Sequence, residues 1–175
     1  MVGLSSRRAL LAGAILMAGA LSAPAAGEER DVALTSTMSD VSVRAEPVTV
    51  SLRPQPELSR AFKAAQAGDG AMAVAVHEIT GRSSQPVLLN VYVNKQDADR
   101  TTSTEDPHFI GHLLLEPKQD LIATKGADFE LQNDVPADPA RPLQITLVPV
   151  IGINGIPRDL SLRVGQIYIR HDRGS

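Results

Sequence analysis

Pro86-Val87-Leu88-Leu89-Asn90-Val91-Tyr92-Val93-Asn94 is the stretch on which the fold turns. In an extended chain, successive side chains point to opposite faces. Val87, Leu89, Val91 and Val93 therefore share one face, and Leu88, Asn90 and Tyr92 the other. β-branched and aromatic residues of this kind suit a pleated, half-buried surface. Pro86 opens the run and the polar stretch Lys95–Pro107 closes it, as turn-rich boundaries close a strand. A strand whose one face is wholly valine and leucine needs a second layer to cover that face.

The same alternation recurs outward from this segment. On the C-terminal side, Phe109–Leu115 forms a strand ended by Pro117, and Ala127–Leu131 a short one. In Leu143–Val150, Leu143, Ile145 and Leu147 alternate with Gln144 and Thr146. Leu160–Val164 and Gln166–Arg170 follow, joined near Gly165. On the N-terminal side, Val48, Val50 and Leu52 alternate with Thr49 and Ser51, until Arg53-Pro54-Gln55-Pro56 stops the pairing. Leu58–Ala67 reads as one or two helical turns or a loop, closed by the turn residues Gly68-Asp69-Gly70. Ala71–Ile79 is a strand with Met72, Val74, Val76 and Glu78 on one side and Ala73, Ala75, His77 and Ile79 on the other, and Thr80–Gln85 a turn. Short strands separated by proline- and glycine-rich turns, with little helix, predict an all-β antiparallel sandwich of about seven or eight strands. No repeat of fixed period points to a propeller or solenoid.

The chain starts differently. Arg7 and Arg8 precede an apolar stretch, Ala9–Leu21, that is shorter than the roughly 20 residues a membrane helix needs. Ala23 and Ala25 supply the small residues of a cleavage site. Residues 1–26 are thus expected to be a signal peptide removed from the mature protein. Ser6-Arg7-Arg8-Ala9-Leu10-Leu11 resembles the twin-arginine export motif, with Leu10 where phenylalanine often stands and no lysine following. Ordinary export is the other reading. Either route predicts a periplasmic or secreted protein with no membrane span in its mature form. Residues 27–46, polar and rich in serine and threonine, predict a flexible lead-in, with the packed domain over residues 47–171.

Composition narrows the chemistry. There are no cysteines, so disulfides, thiolate nucleophiles and zinc-thiolate sites are excluded. Lys and Arg total 17 against 20 Asp and Glu, a net charge of -3, without the basic stripe of a nucleic-acid binder. Tryptophan is absent and tyrosine and phenylalanine are scarce, which argues against a base-stacking platform.

Several segments together resemble the C-terminal domain of tyrosinases and polyphenol oxidases. Val48-Thr49-Val50 through Arg53-Pro54 to Ser59-Arg60 is similar to the lead into that domain. Pro86-Val87-Leu88-Leu89-Asn90-Val91-Tyr92-Val93-Asn94 is similar to its strand ending in a Val-Tyr-Val/Ile-Asn run. Glu105-Asp106-Pro107-His108-Phe109-Ile110-Gly111 resembles its acidic-Pro-x-Phe-x-Gly segment. Leu143-Gln144-Ile145-Thr146-Leu147-Val148-Pro149 resembles its Val-Thr-Leu-Val-Pro strand, and Val164–Ile169 its closing strand. The order and spacing agree over roughly residues 48–170. Many plant members carry a Lys-Phe-Asp-Val stretch where this chain has Leu88-Leu89-Asn90, which places it among distant bacterial-type relatives.

The family's oxidase domain holds two coppers, each by three imidazoles. This sequence has four histidines, His77, His108, His112 and His171, too few for both sets. The resemblance therefore implies a non-catalytic accessory domain. It would dock on a separate tyrosinase-like copper oxidase, shield its copper site and assist its export, with copper only in that partner and no cofactor of its own. Thr102, Glu105, Asp106, His108 and Phe109 are the candidate partner-facing loop. The alternative is a periplasmic structural or binding sandwich with no role in phenol oxidation. An enzyme acting alone is the third reading, and no paired catalytic constellation supports it.

Other features read as structural. His108 and His112 are separated by about 13 Å along a strand, too far to share a metal unless the chain bends at Gly111. Asp97, Asp99, Glu105 and Asp106 form an acidic loop that lacks the glycine and terminal glutamate of a calcium-binding hand. Arg53, Arg60 and Lys63 form a modest basic cluster on a solvated face.

Overall fold

Among the described residues, the runs of alternating valine, leucine and isoleucine become eight strands in two four-stranded sheets. The computed structural model describes residues 34–35, 37–131, 141–150 and 159–172. The expected signal residues Arg7, Arg8, Ala23 and Ala25 lie outside the described residues. The elements are β1 (Met38–Val43), β2 (Val48–Leu52), α1 (Leu58–Gln66), β3 (Ala71–Arg82), β4 (Val87–Val93), β5 (Phe109–Leu115), β6 (Leu121–Glu130), β7 (Leu143–Val150) and β8 (Ser161–Asp172). One sheet has the order β1-β8-β3-β6 and the other β2-β7-β4-β5, and every pairing is antiparallel.

The inner faces meet as an antiparallel sandwich. Val87, Leu89, Val91 and Val93 of β4 pack with Leu143, Ile145 and Leu147 of β7 against Val74, Val76, Val164, Ile167 and Ile169 of the facing sheet. Burial of this apolar area is the main force holding a fold that has no disulfide. Helix α1 crosses from one sheet to the other and turns Leu58, Ala61 and Ala65 inward, the spacing of one helical face. It ends where Gly68 takes a left-handed φ of 84°.

The structure corrects several local expectations, among them the turn at Thr80–Gln85, whose first residues, Thr80–Arg82, continue β3. The lead-in over residues 27–46 is not wholly flexible, because Met38–Val43 is a strand paired with β8. Its polar residues misled because β1 is an edge strand with one solvated face. Leu160–Val164 and Gln166–Arg170 belong to one continuous strand, β8, which runs through Gly165. The short strand expected at Ala127–Leu131 begins at Leu121 instead. Finally, Ile79 is not on the face opposite Met72, Val74 and Val76, but joins them in the core while Glu78 is exposed.

This last shift has one cause across the whole sheet. Asp40, Glu78 and Gly126 have φ of 61°, 57° and 93°, and each such residue resets the inward–outward alternation. The registers place Asp40 and Glu78 level with Gly165, and Glu78 level with Lys125 beside Gly126. All four strands therefore change phase on one transverse line. Val76 and Ile79, Val164 and Ile167, and Ile122 and Ala127 face the core from its two sides. The Glu78 side chain lies over Gly165, where an added Cβ would stand 2.7 Å from its Cβ and its Oε2.

Candidate functional site

The outer face of the β2-β7-β4-β5 sheet carries the loop singled out above. Tyr92, on the outer side of β4, is fully buried between Thr146 of β7 and Phe109 of β5. Residues 94–108 fold back over it, so that Tyr92, Ala98 and Val148 form a second small core with Phe109 and Val150. The Tyr92 hydroxyl donates to the Thr102 carbonyl at 2.9 Å, and its ring meets that of Phe109 edge-on at 5.4 Å. Burial raises its pKa above the ordinary 10.0. A hydrogen bond with Asn90 opposes this, Asp106 and Asp99 reinforce it, and Lys95 acts against it.

The loop is organised by its own acidic residues. Asp99 Oδ1 accepts from the Thr101 backbone N–H and hydroxyl at 2.8 and 2.7 Å, and from the Thr102 N–H at 3.1 Å. The Asp99 N–H in turn donates to the Thr102 hydroxyl. Lys95 bridges Asp97 and Asp106 at 3.4 and 3.6 Å. Arg100 ties the loop to the segment before β2 by donating to the Ala45 carbonyl at 2.5 Å. Of the five expected partner-facing residues, Glu105 is exposed, while Thr102, Asp106, His108 and Phe109 are only partly so. Thr102 and Phe109 are engaged with Tyr92, and Asp106 accepts from the His108 N–H at 2.9 Å.

His108 closes the loop beside a cleft of about 490 Å³ lined by Asn94, Gln96, His108, Arg141, Pro142, Leu143 and Gln144. The His108 carbonyl accepts from the Val93 N–H at 2.9 Å, and its Nδ1 lies 2.8 Å from the Val93 carbonyl. A carbonyl only accepts, so Nδ1 carries the proton and Nε2 presents a lone pair in the neutral ring. Asn94 has a left-handed φ of 55°, a conformation asparagine tolerates better than most residues. Its N–H donates to the Gln144 carbonyl at 2.7 Å and its Oδ1 accepts from the Gln144 N–H at 3.1 Å. Sequence reasoning singled out His108 but not Asn94, Gln96, Arg141 and Gln144. Those residues meet only because β4 and β7 are neighbours.

The histidines do not gather into one site among the described residues. His77 pairs with Asp128 at 3.0 Å, His112 stacks on Phe109, and His171 lies 2.9 Å from the Asp69 carbonyl. The four imidazoles thus sit in four separate settings. Among the described residues, no three histidine, aspartate or glutamate side chains converge as metal ligands.

The chain is similar to recombinantly expressed latent aurone synthase (polyphenol oxidase) co-crystallized with hexatungstotellurate(VI). The identity is 22% and the TM-score 0.51 over 77% of this chain. A second structure of recombinantly expressed latent aurone synthase gives 22% identity and a TM-score of 0.51 over 75% of this chain. At such identity the likeness shows a shared fold. In both, this chain spans 26% of the other, so the fold resembles a fragment of a polyphenol oxidase. No family model matches the chain, and no curated protein does. Among the described residues, no helix is long and apolar enough to cross a membrane.

The acidic loop should respond to pH. The hydrogen bonds from Thr101, side chain and then backbone, followed by those from Thr102, hold Asp99 below its ordinary 3.8. A carboxylate whose pKa is lowered by folding contributes stability above its unfolded value, and that contribution is lost as pH falls through the folded one. Hydrogen-exchange protection of the Thr101 and Thr102 amides is therefore expected to fall below about pH 3.8, while the β4 amides stay protected. Uniform protection of both groups down to pH 2 would contradict the role given to Asp99.

Proposed function

We propose that this chain is a non-catalytic accessory domain of a phenol-oxidising system. It docks on a separately encoded tyrosinase-type copper oxidase, covers the entrance to the copper site, and accompanies that enzyme through export to the periplasm or beyond. The observation that carries this reading is the likeness of most of the chain to 26% of a protein named as a latent polyphenol oxidase. The internal support is physical. The loop over residues 94–108 is held by Tyr92, Asp99 and Lys95 rather than left loose, and a preorganised surface loses less entropy on docking. The lid acts by occupancy: while it sits over the entrance, substrate cannot reach the metal, and its dissociation or proteolysis restores access. The copper belongs to the partner.

Co-expression of the chain with such an oxidase should yield one complex on size-exclusion chromatography. Glu105→Lys, which reverses the exposed charge of the loop, is expected to weaken that complex without changing the stability of the free domain, since isolated surface changes rarely exceed about 0.5 kcal/mol. Recovery of separate proteins, with the oxidase fully active, would refute docking.

A further inference from the structure

We infer that the cleft between the end of β4 and the start of β7 binds a small hydroxycarboxylate, independently of any partner enzyme. Its volume, about 490 Å³, falls within the range of small-molecule pockets, roughly 300–1,000 Å³. Among the described residues, its lining contains a guanidinium, Arg141, and three carboxamides, Asn94, Gln96 and Gln144, but no carboxylate. Arg141 brings a positive group to the wall. A planar guanidinium matches a carboxylate through two parallel N–H donors. Arg141 need not be free of other partners, because it carries five such donors.

His108 adds the second requirement. Its Nδ1–H is committed to the Val93 carbonyl, so the nitrogen left for a ligand is Nε2, an acceptor in the neutral ring. A bare carboxylate offers that atom no proton, whereas a hydroxyl does. Pro142 and Leu143 supply an apolar wall against which a hydrocarbon or ring portion would rest. The walls are also held in place. Asn94 and Gln144 are locked to each other through two hydrogen bonds, and His108 is fixed through its backbone and its ring.

Mandelate combines the three features and serves as a probe. Phenylacetate lacks its hydroxyl, and mandelamide lacks its charge. In titrations of the isotope-labelled chain followed by NMR, mandelate should give saturable shifts of the Asn94, Gln96 and Gln144 side-chain amides and leave that of Gln166 unmoved. Phenylacetate should bind about five-fold and mandelamide at least about ten-fold more weakly, in keeping with the loss of one hydrogen bond and of one ion pair. Arg141→Gln, at an exposed position and so compatible with folding, should weaken mandelate at least about ten-fold while the spectrum stays dispersed. No saturable shift up to about 10 mM, ten times a millimolar dissociation constant, would overturn the assignment. Equal binding of mandelamide, or unaltered binding to the Arg141→Gln variant, would overturn it as well.

Discussion

Gly126→Ala is expected to lower stability by on the order of 4 kcal/mol or more, whereas Gly68→Ala should cost only about 1–2 kcal/mol. Both glycines have left-handed φ, 93° and 84°, so the strain of placing alanine in that conformation is shared. The difference is space. A Cβ on Gly126 would stand 1.9 Å from the Val76 carbonyl oxygen and 2.8 Å from the His77 Cα. These are backbone atoms of the neighbouring strand and cannot swing aside. On Gly68 the same Cβ would meet nothing within 4 Å. Relief at Gly126 requires β3 and β6 to separate along the line where all four strands change phase. A loss of that size is a large share of the roughly 5–15 kcal/mol by which a domain is stable. Urea titration followed by circular dichroism tests both variants. Equal and modest losses for the two would show that the close approach at Gly126 does not constrain the sheet.

The second large effect concerns Tyr92. Tyr92→Ala should lower stability by about 3–5 kcal/mol, the range for emptying a buried aromatic site. It removes the centre of the small core that holds Ala98, Val148 and Phe109. Tyr92→Phe keeps the ring and removes only the bond to the Thr102 carbonyl, so about 1–2 kcal/mol is expected. Both variants should be cut by protease within residues 95–107 faster than the parent, Tyr92→Ala far more so. The wild-type hydroxyl adds a signature at high pH. Its pKa is raised by folding from 10.0, so the associated stability is complete below pH 10 and is lost as pH rises through the folded value. Tyr92→Phe should flatten that part of the pH–stability curve. A loop equally resistant in all three proteins would mean that Tyr92 does not anchor it.

These two positions also show what the sequence disclosed and what it hid. The inner face of β4 was legible, because four aliphatic residues at every second position admit one arrangement. Tyr92 was recognisable as a packing residue, but its contacts with Thr102 and Ala98 depend on how a polar loop folds back, which no local periodicity reveals. Gly126 was missed for the opposite reason. It sits with Thr124 and Lys125 in a stretch that lacks alternation, and its role appears only when β3 lies beside it. The face of Ile79 was misassigned because strict alternation assumes uniform backbone geometry, and Glu78 breaks it. β1 was hidden because half of a short edge strand faces water and carries Ser39, Asp40 and Ser42. The Arg163 guanidinium bonds to Asp40 from the adjacent strand, a pairing visible only in three dimensions. The candidate loop could be located from its acidic residues and Phe109. The cleft could not, since Asn94 and Arg141 come together through sheet pairing alone.

The decisive measurement is the phenol-oxidation rate of a separately encoded tyrosinase-type oxidase as folded chain is added to it. The rate should fall in proportion to added chain, level off near one chain per enzyme, and recover when protease digests the bound domain. An oxidase that keeps its full rate beside an excess of folded chain, with no complex between them, would contradict the shielding role outright.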